Sequence, residues 1–272
     1  MSYKTILVHA DMDAGASNRI RLAARLAEQQ GARLIGAAAR LPQPLIEVHA
    51  AGTALLSAGL IDAATTDNAA AFKAAEEHFY RCTADFEVKI EWRTAVDFPA
   101  IALADFAAAA DLIVAGGGGE SDGRAFDVGD LVMRAGRPVL AVPDDREELT
   151  VRDVTVAWKN TREARRALAD GLPLLKTADR VLLLNIRERD GERPALTEAK
   201  SFLDQHGVAA VGEVLAPGGR AAGDQILAVA KQRRSDLIIA GTFGHTRLRE
   251  WVLGGVTRSL LSTSPVPCLL SR

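Results

Sequence analysis

Glycines carry the chemistry that this sequence advertises. In the segment Ala240-Gly-Thr-Phe-Gly-His-Thr-Arg-Leu-Arg-Glu-Trp-Val-Leu-Gly-Gly-Val-Thr257, Gly241 and Gly244 form a Gly-x-x-Gly pair. Nine residues separate Gly244 from Gly254, where a helix begins. An apolar strand followed by glycines lets backbone amides approach anionic oxygens, and a helix start adds unpaired N–H groups and the positive end of its dipole. Gly-x-x-Gly alone is a weak signal, because glycines also simply end strands; the fixed spacer to a third glycine is more specific. His245, Arg247, Arg249 and Arg258 surround this loop against one acid, Glu250. That is the electrostatic surrounding a phosphate needs. His245 reads equally as a phosphate contact or as an ordinary loop residue.

The same pattern occurs earlier. Asp111-Leu-Ile-Val-Ala-Gly matches Asp236-Leu-Ile-Ile-Ala-Gly, and Gly116, Gly119 and Gly129 match Gly241, Gly244 and Gly254, all at an offset of 125 residues. Such a register marks an internal repeat. The starts correspond as Thr5-Ile-Leu-Val-His and Asp153-Val-Thr-Val-Ala, and the ends as Arg137-Pro-Val-Leu-Ala-Val and Val266-Pro-Cys-Leu-Leu-Ser. A charged seam, 143–150, lies between them. At about 100–200 residues per domain, 272 residues imply two domains, here 1–143 and 151–272.

In the first copy the loop is hostile to phosphate. Glu120, Asp122, Asp127 and Asp130 face only Arg124, and carboxylates repel a polyphosphate unless a divalent cation intervenes. From its third glycine to the final strand the first copy is also four residues shorter, which predicts a stunted helix.

These loops must sit on strands and helices. Apolar runs alternate with helical patterns, predicting strands near 4–9, 33–38, 87–92, 111–115 and 138–142, then 153–158, 180–186, 208–215, 236–240 and 266–270. Amphipathic helices are expected at 17–30 and 161–175. This is the pattern of βαβ units in parallel sheets covered on both faces, with ligands at the carboxyl ends of the strands. A first-half insertion, 41–67, reads as a mobile flap or an interface segment. His9 is expected to be structural, Trp158 and Trp251 to pack in core or interface, and Arg162, Arg165 and Arg166 to form a solvated face.

A net charge of −2 and a pI near 6.2 offer nucleic acid no basic surface. Neither a signal segment nor a membrane span is expected. Cys82 and Cys268 fall one to each half, outside any metal-ligand spacing, and read as buried thiols of a cytoplasmic protein. No nucleophile elbow, metal cluster or phosphate-loop lysine is legible, so the residues give catalysis little support.

Over essentially its whole length the chain resembles a tandem member of the universal stress protein family, whose ATP-binding members carry Gly-x-x-Gly, nine residues, then Gly and a Ser or Thr. The resemblance implies an α/β fold of two tandem five-stranded parallel sheets flanked by helices, of the adenine-nucleotide hydrolase-like type. It also implies an intramolecular pseudo-dimer with the last strands meeting, with further self-association through the insertion left open. Carried over, Gly241 and Gly244 form the phosphate loop, and Gly254, Gly255, Val256 and Thr257 cradle phosphates. Ala157, Trp158, Lys159 and Ile186 flank adenine and ribose, with Ala240 and His245 beside the loop. Two positions depart from the family: Gly255 replaces the Ser or Thr, and Lys159 replaces the Asp that Asp11 retains in the first half. The implied ligand is ATP or another adenine nucleotide, brought with Mg²⁺, in a sensor or regulator acting on a protein partner. A nucleotide-free scaffold and a weak nucleotide hydrolase are the alternatives.

Overall fold

The computed structural model describes residues 2–41, 58–116, 126–187, 196–216, 218–242 and 255–272, and of residues 58–66 the backbone alone. Five strands of the first half are β1 (Thr5–His9), β2 (Arg33–Arg40), β3 (Ile90–Val96), β4 (Leu112–Gly116) and β5 (Val139–Val142). The second half supplies β6 (Asp153–Ala157), β7 (Arg180–Ile186), β8 (Ala210–Leu215), β9 (Leu237–Gly241) and β10 (Cys268–Ser271). They form one sheet in the order β3-β2-β1-β4-β5-β10-β9-β6-β7-β8. Within each half every pairing is parallel, and the halves join where β5 and β10 run antiparallel, with Leu269 opposite Leu140. The two expected five-stranded sheets thus meet at their last strands and become continuous.

Helices cover both faces: α1 (Ala16–Gln30), α2 (Ala58–Thr83), α3 (Pro99–Phe106), α4 (Val128–Arg134), α5 (Arg162–Asp170), α6 (Leu172–Leu175), α7 (Leu196–Gln205), α8 (Ala222–Arg233) and α9 (Gly255–Thr263). Successive side chains of β1 divide between the two faces: Ile6 and Val8 join one apolar cluster, Leu7 the other. Cover on both sides explains why β1 and β4 read as unbroken apolar runs. The helix expected over 161–175 is two, because Gly171 ends α5 and Pro173, which has no N–H to continue the ladder, opens α6. Much of the 41–67 insertion, residues 42–57, lies outside the described residues, while its remainder is the start of α2.

The repeated aspartate has a structural task. The Asp111 carboxylate accepts from the Lys4 and Thr5 amides at 2.8 and 3.0 Å. Asp236 accepts from Arg152 and Asp153, both at 3.0 Å. Each clamps the start of its half's first strand to the strand beside it, β4 or β9.

The halves are also tied outside the sheet. The Tyr3 hydroxyl donates to the Asp170 carbonyl at 2.7 Å, and burial, then the Asp170 and Asp111 charges, hold that hydroxyl well above its usual pKa. The charged seam lies along α1, with Arg21 paired to Glu147 at 3.2 Å, Arg25 to Glu148, and Asn18 donating to the Asp144 carbonyl at 2.7 Å. Cys82 and Cys268 are buried free thiols, and burial pushes the Cys268 pKa up to about 12.

Candidate functional site

In each half the strand order reverses beside the first strand, which places β1 and β4, or β6 and β9, at the switch point where open α/β sheets hold ligands. In the second half, β6 and β9 pair with Ala157 opposite Ala240. Ala157, Ile186, Ala240 and Val256 belong to one apolar cluster on one side of the sheet. Trp158 lies on the other side, in the core, as its size led us to expect. Its amide donates to the Leu184 carbonyl at 2.7 Å, and its carbonyl accepts from the Asn185 amide group at 2.9 Å. The end of β6 is thereby held against β7 one residue beyond the strand. The Lys159 carbonyl then accepts from the Thr161 amide at 2.6 Å, and Thr161 caps α5 by accepting from Ala164 at 3.3 Å.

Gly241 touches the first turn of α5. A Cβ there would stand 2.4 Å from the Ala164 nitrogen and 2.5 Å from the Glu163 carbonyl carbon. Only glycine permits this backbone-to-backbone approach, whatever the loop binds. Beside it, buried Glu163 bonds Arg162; burial raises its pKa, but the Arg162, Thr161 and backbone hydrogen bonds outweigh that and hold it below the usual value.

The start of α9 is different. Among the described residues, a Cβ at Gly255 would meet nothing within 4 Å. Thr257 is buried within the first turn, and Gly223 of α8 seats the helix, since a Cβ there would lie 2.7 Å from that of Ser259. The open first residue of α9 therefore rests on a packed helix. Gly244, His245 and Gly254 lie outside the described residues, as do Arg247, Arg249, Glu250 and Trp251; Arg258 is exposed.

Two buried polar atoms at these strand ends were not foreseen from the sequence. Asn185 Oδ1 and Ser271 Oγ have no hydrogen-bond partner. Ser271 does serve through its backbone, accepting from the Thr242 amide at 2.8 Å and its hydroxyl at 3.1 Å. Polar residues at the carboxyl ends of otherwise apolar strands were the available signal. Among the described residues, no group of three or more His, Cys, Asp or Glu is placed to hold a metal ion, and no helix is long and apolar enough to cross a membrane.

The first half fills the equivalent place with its own side chains. Ile6 pairs with Leu112 as Val154 pairs with Leu237, so His9 stands where Ala157 stands in the second half. The buried His9 ring lies 4.2 Å from that of Phe126, and its Nε2 is 2.8 Å from Asp11 Oδ2. Its Nδ1 has no partner. Arg19, 1% exposed, donates to the His9 carbonyl and to Asp13, both at 2.7 Å. A Cβ at Gly116 would lie 2.7 Å from the Arg19 guanidinium, the place that α5 backbone occupies beside Gly241. Of the four expected loop acids, Asp127 caps α4 by accepting from Gly129 at 2.7 Å, Asp130 pairs with Arg134 at 2.7 Å, and Glu120 and Asp122 lie outside the described residues. Helix α4 has seven residues against nine in α9, shorter by two rather than by a turn.

Comparison with known proteins agrees with this architecture. The model of the universal stress protein family matches residues 150–272. A universal stress protein from Archaeoglobus fulgidus DSM 4304 superposes with a TM-score of 0.72 at 15% identity, covering 98% of this chain and 96% of its own. A putative universal stress protein from Pseudomonas aeruginosa UCBPP-PA14 gives 0.58 at 18%, covering 99% and 93%. A universal stress protein solved in complex with cAMP covers 53% of this chain with all of its own, at 24% identity and a TM-score of 0.37. No curated protein matches the chain. Likeness at these identities shows the fold.

Proposed function

We propose that the chain is a universal stress protein, on the family model's match to residues 150–272, and that its second half binds an adenine nucleotide while its first half serves as a closed structural partner. One observation carries this reading. At equivalent strand ends the first half has the buried His9 ring, stacked on Phe126, where the second half has Ala157, whose side chain is a methyl group. Ala157 and Ile186 flank the base, Lys159 stands at the ribose, and the amides of Gly255 and Val256 with the loop of Gly244, His245 and Gly254 meet the phosphates. Mg²⁺ accompanies a triphosphate and is held chiefly by its oxygens.

The protein acts as a cytoplasmic, non-enzymatic regulator. Occupancy shifts the population of a surface that a partner protein reads, by no more than the ligand's difference in affinity between the two states. The domains, 1–143 and 151–272, divide these tasks. The nucleotide-free scaffold remains the second reading, favoured by one fact: Gly241 is required by α5 whether or not anything binds.

Calorimetric titration of Mg·ATP into the whole chain, beside Gly255→Asp, separates the two. Among the described residues a Cβ at Gly255 has nothing within 4 Å, and an acid at a helix start favours the helix while repelling phosphate. One saturable site per chain, lost in a variant that melts no lower than the parent, supports the nucleotide reading. No heat up to millimolar ATP supports the scaffold.

A further inference from the structure

The sheet ends in β3 on one side and in β8 on the other. Among the described residues no strand pairs with the outer side of either. An open edge is a template for further pairing, and proteins commonly guard it with a proline, a bulge or a lone charge. Strand β3 runs for seven residues without a proline. Its two charges, Glu91 and Arg93, are opposite in sign, and Ile90, Thr94 and Val96 are exposed.

The direction of its backbone groups is fixed. The Lys89 carbonyl accepts from the Leu34 amide at 2.8 Å, so it points to β2. With a strand's period of two, the groups of Glu91, Arg93 and Ala95 also point to β2, and those of Ile90, Trp92, Thr94 and Val96 point outward. Side chains alternate between the faces. Trp92 packs on Phe79 of α2, with ring centroids 5.4 Å apart. On the other face Arg93 lies over the Phe106 ring of α3 at 5.8 Å and pairs with Glu91 at 2.7 Å, and Glu91 also meets Arg33 of β2 at 3.3 Å. The Glu91 and Arg93 side chains remain 39% and 28% exposed.

We infer that β3 is a self-association edge, where a second copy of this chain adds its own β3 antiparallel, with the two Trp92 residues opposite each other. In that register Glu91 stands opposite Arg93 of the second copy, and Arg93 opposite its Glu91, so four charges alternate in sign on one face. Ile90 faces Thr94, and each outward-pointing pair exchanges both its hydrogen bonds. Continued by two residues, the register sets exposed Val96 against Val88. Centring the pair on Arg93 instead would oppose two arginines. The chain already contains a seam of this kind, since β5 and β10 join two parallel sheets by running antiparallel. Strand β8 offers no such match. Its one charged residue is Glu213, which a second copy would set against itself or against an uncharged residue.

The test is sedimentation equilibrium of the whole chain, with melting temperatures alongside. As concentration rises to about 200 µM, the mass is expected to climb from 28.9 kDa towards twice that value. Glu91→Arg and Arg93→Glu each put like charges across the seam, and each is expected to weaken association about tenfold or more. An equimolar mixture of the two variants restores opposite charges at every facing position and is expected to associate as tightly as the parent. Thr94→Pro removes an outward N–H, leaves the β2–β3 ladder intact and is expected to abolish association while the chain still melts cooperatively. A parent that stays a single copy overturns the inference. So does either charge variant or Thr94→Pro associating like the parent, or a mixture no tighter than its components.

Discussion

The two halves share strand order, the aspartate clamp and the glycine at the end of the fourth strand, and differ in what stands at the end of the first. In the first half His9, Asp11, Asp13, Arg19 and Phe126 bond and stack among themselves, with Arg19 over Gly116. In the second half Ala157 brings no polar group, and the buried carboxylate is already engaged. The two copies keep what holds the sheet together and differ in what stands at the ends of their first strands.

The largest expected effect exchanges the two strand ends. Ala157→His puts the first half's ring into the second half, and nucleotide affinity should fall about a hundredfold or more by calorimetry, equivalent to about 3 kcal/mol. Retained affinity would break the equivalence drawn between the two positions. Next comes Gly241→Ala, which forces a methyl group into α5 backbone and should cost about 3 kcal/mol in urea unfolding. Gly116→Ala meets only the end of a side chain and should cost distinctly less. Equal losses would contradict the difference described at these two glycines.

The aspartate clamps sharpen the comparison from the other side. Asp111→Ala and Asp236→Ala each strand two backbone amides and should each cost about 1–3 kcal/mol, similar in the two halves. Smallest is Glu163→Gln. Because the folded carboxyl sits below its usual pKa, Glu163 stabilises at pH values above the ordinary carboxylate range and loses that contribution as pH falls through its folded value. The variant should unfold about 1 kcal/mol more easily at pH 7 and match the parent near pH 3. A difference unchanged down to pH 3 would show that Glu163 contributes through packing rather than charge.

Most of the fold was legible because it rests on local and repeated signals. Apolar runs bounded by glycine or proline gave the ten strands within a few residues, and the offset between Asp111 and Asp236 gave the two copies. The division at Gly171 was less legible, since the apolar pattern of Leu172, Leu174 and Leu175 continues across it. The candidate site was legible only where it is backbone. Glycine spacing revealed the loops, but not that Gly241 answers to α5, which is a contact across 77 residues. The pairing of His9 with Ala157 was visible once the strand starts were aligned; that Phe126 and Arg19 complete it depends on chain segments that only folding brings together. Asn185 and Ser271 hide for the same reason: a polar residue in an apolar run reveals little until its partners, or their absence, are seen.

The measurement that bears most directly on the central claim is a crystal structure of the whole chain grown with an adenine nucleotide. The account predicts one nucleotide per chain, its base beside Ala157 and Ile186 and its phosphates at Gly255, with the His9 and Phe126 rings still in contact in the first half. Nucleotide against His9, Gly116 and Gly119, or equally in both halves, would contradict it.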